Sequence, residues 1–550
     1  MKNQLKILLI NPFFFFFSQD RYDLEKVKNK TEFVEAPLGL GYLSAYIKKY
    51  FKNIDIEVYD ANAMAISEII KSNDVNMKHL FGLVETKIKT YRPDIIGISA
   101  LFEFNGYIAL KFIHLVKKAE KNIITIMGGA YASHSFNKAF KNKNLDFIIK
   151  GEGEEGFRQF IEYILNERNV KDVGSLIYRS NGGIKANSTV LVNNIDTIPR
   201  VDRSNFLMDL YASYSVRLAN RHSKISYIPR LASILTSRGC PYKCAFCSTR
   251  LQWGPKIRYR KISDVMSEIK WLKDTYNINT FFFPDDNICT NSKHFIEFLK
   301  QLKKEKIKWL SGGFQVSAMT DEAINLCIES GLLYFPMSFE SGANETLKKL
   351  KKPLNIKQSE DFVKRARLID NNIYIFGSWI TALPFETLED IDKTHAFAKY
   401  LDLDWSSFYC YQPYPGTEIY QYCIDKGYIQ ENEENVKSPV ALLNAISTEN
   451  FSASEVVFKN YCANIDINFL NNRNLNGRGN FTQAYRDFVD IINNYPTHVF
   501  AHYALSNYFN NLGNKKKSRY FLMKARESSE VEKFYEPFIK HFNLTKELLE

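Results

Sequence analysis

The sequence predicts an α/β protein in three parts: an open, doubly wound parallel sheet toward the N-terminus, a central barrel of six βα units, and a helical C-terminal region. Three observations predict it. Short β-rich runs alternate with helical periodicity over about the first 170 residues, the alternation resumes six times between about 226 and 430, and beyond 430 the strand patterns stop. A chain of 550 residues that is 45% apolar suggests roughly two to four domains and can bury substantial cores without crosslinks. Eight cysteines in that length are too few for a secreted disulfide scaffold and fit a reduced, cytoplasmic setting. No apolar run reaches the roughly 18 residues of a bilayer span, so no transmembrane segment is expected. The opening "MKNQLKILLINP" is too short for an export signal and lacks a small-residue cleavage site. The formal charge of +12 comes from Lys interleaved with Glu and Asp along the chain. That pattern reads as a solvated surface, and no nucleic-acid partner is expected.

Residues 1–170 carry the first alternation: "LKILLINP", "LGLGYLSAYIKKYF", "IDIEVYDA", "DIIGISAL", "NIITIMGGA" and "LDFIIKGEGEEGF" before a further helix. Repeated βαβ units of this kind make a Rossmann-like sheet, whose ligands sit beyond the carboxyl ends of the strands. The loops at those ends hold Asn11 and Pro12, Ser99, Gly128 and Gly129, and Gly151, Glu152 and Gly153. Glycine at such places either lets the backbone approach a ligand or permits a turn with positive φ, and the pattern leaves both readings open. Residues 171–225, with "RSNGGIKANS" and "IDTIPRVDRSNF", read as a turn-rich linker.

From residue 226 to 430 an apolar strand at Leu231–Leu235 is followed by "TSRGCPYKCAFCSTR" and a helix beginning near Ser263. Strands at "NTFFFP", "IKWLSGGF", "YFPMSFES", "IYIFGSWI" and "SSFYCYQPY" complete six repeats, a (β/α)6 partial TIM barrel with its chemistry expected at the carboxyl ends of the strands. Cys240, Cys244 and Cys247 lie at one such end. Thiolates at CxxxCxxC spacing bind zinc or an iron–sulfur cluster. Structural zinc takes four protein ligands, and no second CxxC or CxxxH lies nearby, whereas a cubane held by three cysteines keeps one iron open to an outside ligand. Cys289, Cys327, Cys423 and Cys462 have no partner spacing and read as core.

With Phe246 before the third cysteine, the motif CxxxCxφC resembles that of the radical S-adenosylmethionine superfamily. The resemblance runs to about residue 430. "FFFPDDNIC" resembles the family's second strand end, which implies Asp285 and Asp286 near the methionyl amine; "SFESGANETLKKLKK" resembles its fourth-strand segment, which implies Glu340 and Ser341 at S-adenosylmethionine. Each acid could instead cap a helix or pack a loop. "YQPYPGTEIY" is similar to the segment after the sixth strand. Where family members often read GxPGE after the fifth strand, this chain has "TALPFET", keeping Glu386 but placing Ala382 and Phe385 where glycines are usual. That departure puts close backbone approach in doubt. Cys410, at the sixth strand end, is either a substrate-side thiol or buried filler.

Upstream, "EAPLGLGYLSAYI", "RPDIIGISAL", "IMGGAYAS" and "IIKGEGEEGF" resemble the cobalamin-binding domain fused ahead of such barrels. The resemblance implies a corrinoid held by Asn11, Pro12, Leu38, Gly39, Ser99, Gly128, Gly129, Gly151, Glu152 and Gly153. None of the nine histidines stands in a DxHxxG pattern, so either the corrinoid binds without a protein histidine or the domain has lost it. "FFFFF", Phe13 to Phe17, occupies the loop where that motif would stand, as an apolar wall against the corrin or substrate or as a buried anchor. Residues 431–550 are helical, and 475–527 resemble about one and a half tetratricopeptide repeats, with Gly479, Ala484, Tyr485, Pro496, Ala504, Leu505, Gly513 and Ala525 at close-packing positions. So few repeats must lean on the barrel or a partner, and the region either docks a protein or caps the fold.

The resemblance implies a 4Fe-4S cluster, S-adenosylmethionine and cobalamin as cofactors, and a reducing partner such as flavodoxin or ferredoxin. Its reaction would be methyl transfer to an unactivated carbon of a small-molecule, lipid or peptide substrate. The alternatives are a radical cyclase, ring-contraction or rearrangement enzyme without methyl transfer, and a metal-containing scaffold protein.

Overall fold

β1 (Leu5–Asn11), β2 (Ile54–Asp60), β3 (Ile95–Ser99), β4 (Ile124–Gly128) and β5 (Phe147–Ile149) form a parallel sheet in the order β2-β1-β3-β4-β5. They belong to a computed structural model that describes residues 4–13, 35–72, 75–101, 106–214, 230–430 and 445–550. Ile7, Leu8, Leu9 and Ile10 are buried in succession, the continuous apolar run of a strand covered on both faces. Helices at Leu38–Tyr50, Ala61–Lys71, Met77–Tyr91, Gly106–Ala119 and Gly153–Ile164 connect and follow the strands. Asp60 starts the second of these by accepting hydrogen bonds from the N–H groups of Asn62 and Ala63.

The stretch expected as a linker is part of this sheet. β6 (Leu176–Ser180) pairs antiparallel with β5, and β7 (Gly183–Ala186) pairs antiparallel with β6, with Ser180 opposite Gly183. Asn181-Gly182, read as linker chemistry, is the tight link of a hairpin. Chain contacts divide the protein into two units: Met1–Val216 with Arg230–Asp286 and Pro413–Pro439, and Arg217–Pro229 with Asn287–Gln412 and Val440–Glu550. The segment 226–430, expected as one central domain, is thus shared between them.

In the first unit, β8 (Leu231–Ser233) pairs in parallel with β11 (Thr280–Phe283), and between them β9 (Ser237–Arg238) pairs antiparallel with β10 (Arg258–Tyr259). The helix Ile262–Tyr276 buries Val265, Glu268, Ile269 and Leu272. Phe13 is buried with its ring 5.3 Å from Phe81 and 5.0 Å from Phe112, an anchor below the sheet's loops; Phe14 to Phe17 lie outside the described residues.

In the second unit, β12 (Lys308–Ser311) is flanked by parallel bridges Trp309–Leu332 and Phe314–Met337. β13 (Phe335–Glu340), β14 (Ile375–Thr381) and β15 (Trp405–Cys410) pair in parallel in that order, so the six expected barrel strands all exist. Capping boxes start the helices Ile356–Ile369, from Asn355 with Gln358, and Leu388–Tyr400, from Thr387 with Asp390. The helical region comprises Ala453–Ile465, a π turn Asp466–Leu470, Phe481–Asn494, Val499–Asn511, Lys515–Val531 and two short helices. Ala484, Ala504, Leu505 and Ala525 are fully buried between its helices. It leans on the barrel strands of its own unit: the Trp405 ring is 5.6 Å from Phe469, and the Tyr374 hydroxyl donates to Asp487 at 3.2 Å. No helix among the described residues is long and apolar enough to cross a membrane.

Candidate functional site

Within the first unit a cavity of about 480 Å³ opens at the carboxyl edge of the sheet. Leu9, Gly97, Ser99, Met127, Gly128, Gly129 and Ile149 line it from β1, β3, β4 and β5, and Gly39, Gly151, Glu152 and Gly153 from the loops and helix starts beside them. Of the sequence candidates for this wall, Leu38, Asn11 and Pro12 do not reach it. The Asn11 amide donates instead to Asp60 at 2.9 Å, and Pro12 is buried. The glycines divide by role. At Gly129, φ is +101° and an added Cβ would meet the Ala100 carbonyl oxygen at 2.5 Å, whereas at Gly39 a Cβ would meet no protein atom within 4 Å. The first is required by the chain's own packing and the second leaves room on the cavity wall.

The other side of the same cavity is built by Leu235, Ser237, Arg238, Gln252, Trp253, Pro284 and Asp286, the strand ends and loops of β8, β9 and β11. Sequence reasoning missed Gly97, Tyr42, Arg238, Gln252 and Trp253. Only Arg238 carried a signal, its place two residues before Cys240.

The three cysteines follow β9 through Gly239, where φ is +93° and a Cβ would press on the Lys256 carbonyl oxygen at 2.7 Å. The loop turns back on itself: the Cys247 N–H donates to the Cys244 carbonyl at 3.1 Å, and the Ala245 carbonyl accepts from the Ile419 N–H at 3.2 Å. Cys240 and Cys244 are half-buried, Cys247 is exposed, and none of the three is in a disulfide. Phe246 is half-buried beside them. Among the described residues no three His, Cys, Asp or Glu groups are gathered around a single-ion position.

The adjacent acids separate in the folded chain. Asp285 is buried and accepts from the hydroxyls of Thr236 at 2.8 Å and Ser237 at 2.6 Å and from both their N–H groups, which ties β11 to the β8–β9 corner. Burial pushes its carboxyl up to about 6 against those hydrogen bonds. Asp286 lines the cavity, with the Thr249 hydroxyl donating to it at 3.0 Å, and burial raises its pKa.

In the second unit Glu340 ends β13 at φ +66° and pairs with Lys352 at 2.8 Å, both side chains being 9% exposed. Ser341 is buried against the Thr394 hydroxyl at 3.2 Å. Ala382 holds φ +59°, so this chain keeps at alanine the backbone that glycine would adopt freely, at a cost of about 1–2 kcal/mol. Cys410 is buried beside Asn460, whose amide donates to it at 3.4 Å and to Thr381 at 2.8 Å, and burial pushes the thiol up to about 12. That surrounding is a packed polar core. Cys289, Cys327 and Cys423 are buried, and Cys462 is half-buried.

Glu386 is buried after β14. One carboxylate oxygen accepts from the Leu383 N–H at 3.0 Å and the other has no hydrogen-bond partner. Desolvation raises its pKa from 4.5 to about 8, against the Leu383 hydrogen bond. The folded protein therefore binds this proton more tightly than the unfolded chain does. The contribution is fully present below about 4.5 and is lost as pH rises to about 8. Glu386→Gln is expected to flatten that slope, as urea midpoints at pH 5, 6.5 and 8 will show.

Two family models match the chain: the B12 binding domain over residues 25–161 and the radical SAM superfamily over residues 234–398. A cytidylyl-2-hydroxyethylphosphonate methyltransferase of Streptomyces wedmorensis is 27% identical over 458 residues, 78% of this chain and 83% of that protein. An anaerobic magnesium-protoporphyrin IX monomethyl ester cyclase of Rubrivivax gelatinosus is 25% identical over 415 residues, 74% of this chain and 69% of that one. The solved structure of the cobalamin-dependent S-adenosylmethionine radical enzyme OxsB shares the fold at TM-score 0.62 and 14% identity, covering 98% of this chain and 80% of that one. A glycine-lined sheet edge and the residues flanking a three-cysteine loop share one cavity, and a B12 binding domain precedes a radical SAM domain in the chain; together these support a cobalamin-dependent radical S-adenosylmethionine enzyme.

Proposed function

We propose that this enzyme transfers a methyl group to an unactivated carbon of a small substrate. The observation that carries the reading is the shared cavity, in which the glycine-lined sheet edge faces Leu235, Ser237, Arg238, Gln252 and Trp253, the residues on either side of the cysteine loop, within one unit. The residues fit the cofactors of the family: a 4Fe-4S cluster, S-adenosylmethionine and cobalamin. Cys240, Cys244 and Cys247 would hold the cluster, since the loop offers three thiols and no fourth ligand, which keeps one iron open for S-adenosylmethionine. Gly39, Gly128, Gly129 and Gly151 would border the corrinoid, because the wall is apolar and a Cβ on Gly39 would point into empty space. No histidine is among the described residues lining the cavity, in keeping with the missing DxHxxG, so the corrinoid would bind without a protein imidazole.

When bound, the cluster and S-adenosylmethionine supply a 5'-deoxyadenosyl radical and cobalamin a transferable methyl group. The chain's own task is to position and to exclude water. Leu9, Met127 and Ile149 keep the sheet side of the cavity dry. Asp286 presents a carboxylate at the opposite wall, suited to an ammonium group, while Asp285 keeps its strand end in register with β8 and β9. Glu340 and Ser341 stand at the end of β13, where the resemblance implies contact with S-adenosylmethionine, and Lys352 fixes the Glu340 carboxylate. Electrons come from an external reductant, and a flavodoxin- or ferredoxin-type protein is proposed for that role.

The methyltransferase activity of the Streptomyces relative supports methyl transfer over cyclisation, since that protein matches more of this chain at higher identity than the cyclase does. The test needs no substrate. Oxygen-free reconstituted protein given dithionite, cobalamin and methyl-labelled S-adenosylmethionine should release 5'-deoxyadenosine, and should form S-adenosylhomocysteine with label on cobalamin. Formation of 5'-deoxyadenosine without S-adenosylhomocysteine would move the assignment to a cyclase or rearrangement enzyme.

A further inference from the structure

Arg238 sits in the wall of the cavity, on β9, two residues before Cys240. Its guanidinium is 5% exposed and forks onto two carboxylates from the opposite wall. One nitrogen donates to Glu152, in a very short contact, and the other to Glu154 at 2.6 Å; these carboxylates are 1% and 5% exposed. Glu152 lies within the loop Gly151–Gly153, and Glu154 is in the first turn of the helix that follows. The planar cation is held between the rings of Tyr42 and Trp253, 5.0 and 5.2 Å from their centres. Arg258 donates to the second oxygen of Glu152 at 2.7 Å, which balances two buried cations with two buried anions. Burial alone would lower the Arg238 pKa, but Glu154 and Glu152 outweigh it and hold it above the ordinary arginine value.

A buried charge freed of its partner is strongly destabilising, so this fork moves as a unit or not at all. It connects the two segments whose ligands differ: the glycine loop that borders the corrinoid, and the cysteine loop, which leaves Arg238 through Gly239, at φ +93° and close enough to Lys256 that no side chain fits there. We propose that Arg238 is a positioning residue that joins the corrinoid loop to the cluster loop, so that cobalamin and S-adenosylmethionine bind with mutual reinforcement. The inference rests on the proposed cofactor sites.

Reciprocity is the signature. Cobalamin in the cavity orders Gly151–Glu154, which through Arg238 orders the loop of Cys240, and each ligand must then tighten the other by the same factor, about tenfold. The experiment measures, in cluster-reconstituted protein, the dissociation constant of S-adenosylmethionine with and without cobalamin, and that of cobalamin with and without S-adenosylmethionine. The electron paramagnetic resonance of the reduced cluster is followed in the same samples. Wild type should show equal factors in both directions and a cluster signal that shifts when cobalamin is added. In Arg238→Lys, which keeps the charge but loses the fork, the factor should fall toward one while both ligands still bind.

A wild-type factor of one, or a factor unchanged in Arg238→Lys, overturns the proposal. If Arg238→Lys does not fold, Glu154→Ala removes one arm of the fork and leaves the other; a reduced factor supports the coupling, and an unchanged one overturns it. Failure of wild type to bind cobalamin or to assemble a cluster would refute the proposed function itself, a result distinct from either of these.

Discussion

Cys240→Ala is expected to lose its iron–sulfur absorbance and to reduce cleavage of S-adenosylmethionine to background, while the far-ultraviolet circular dichroism of the protein stays unchanged. The loop carries hydrogen bonds that the substitution leaves in place, such as Cys247 N–H to Cys244 carbonyl and Arg250 to the Pro241 carbonyl, so the largest change is the loss of a ligand. With two sulfurs left, the cluster would have two open irons and the loop would no longer fix where S-adenosylmethionine docks. None of the seven strands of the N-terminal sheet contains these cysteines, which is why secondary structure should survive. Retained cleavage in the variant would remove Cys240 from the ligand set.

Gly129→Ala should cost about 3 kcal/mol or more in folding stability and abolish measurable cobalamin binding. Gly129 combines φ +101° with ψ 178°, a region essentially confined to glycine. The added Cβ would lie 2.5 Å from the oxygen and 2.8 Å from the carbonyl carbon of Ala100, backbone atoms that cannot rotate away. Ala100 is itself pinned, its N–H donating to Gly128 and its carbonyl accepting from Tyr131. The clash therefore reaches the ends of β3 and β4 together, and both line the cavity. Gly182→Ala is the control: a Cβ there meets nothing within 4 Å, and stability should change little. Chemical denaturation with cobalamin titration compares the two. Equal stability of Gly129→Ala and wild type would contradict the conformation assigned to this loop.

Much of the fold was legible because its signals are local. Strand runs such as "LKILLINP" and "DIIGISAL" are continuous and apolar, and they became β1 and β3 of a parallel sheet. The helical tail also announced that it needed support, and found it on Trp405 and Tyr374. The hairpin β6–β7 reads as a linker in sequence because β7 is only four residues long and exposed along its whole length, so no buried face marks it. At the fifth-strand loop, Ala382 hid a glycine-like backbone behind an ordinary side chain, which no composition rule detects.

The sequence by itself determined the CxxxCxxC spacing of Cys240, Cys244 and Cys247, since a spacing within eight residues is a property of neighbours along the chain. It could not distinguish Asp285 from Asp286: the two are identical in type and adjacent, and only the folded strand turns one into the β8–β9 corner and the other onto the cavity. Nor could it pair Arg238 with Glu152 and Glu154, which stand 86 and 84 residues away. Burial of charge is decided by what surrounds it in space, and that depends on every strand between the partners being in place.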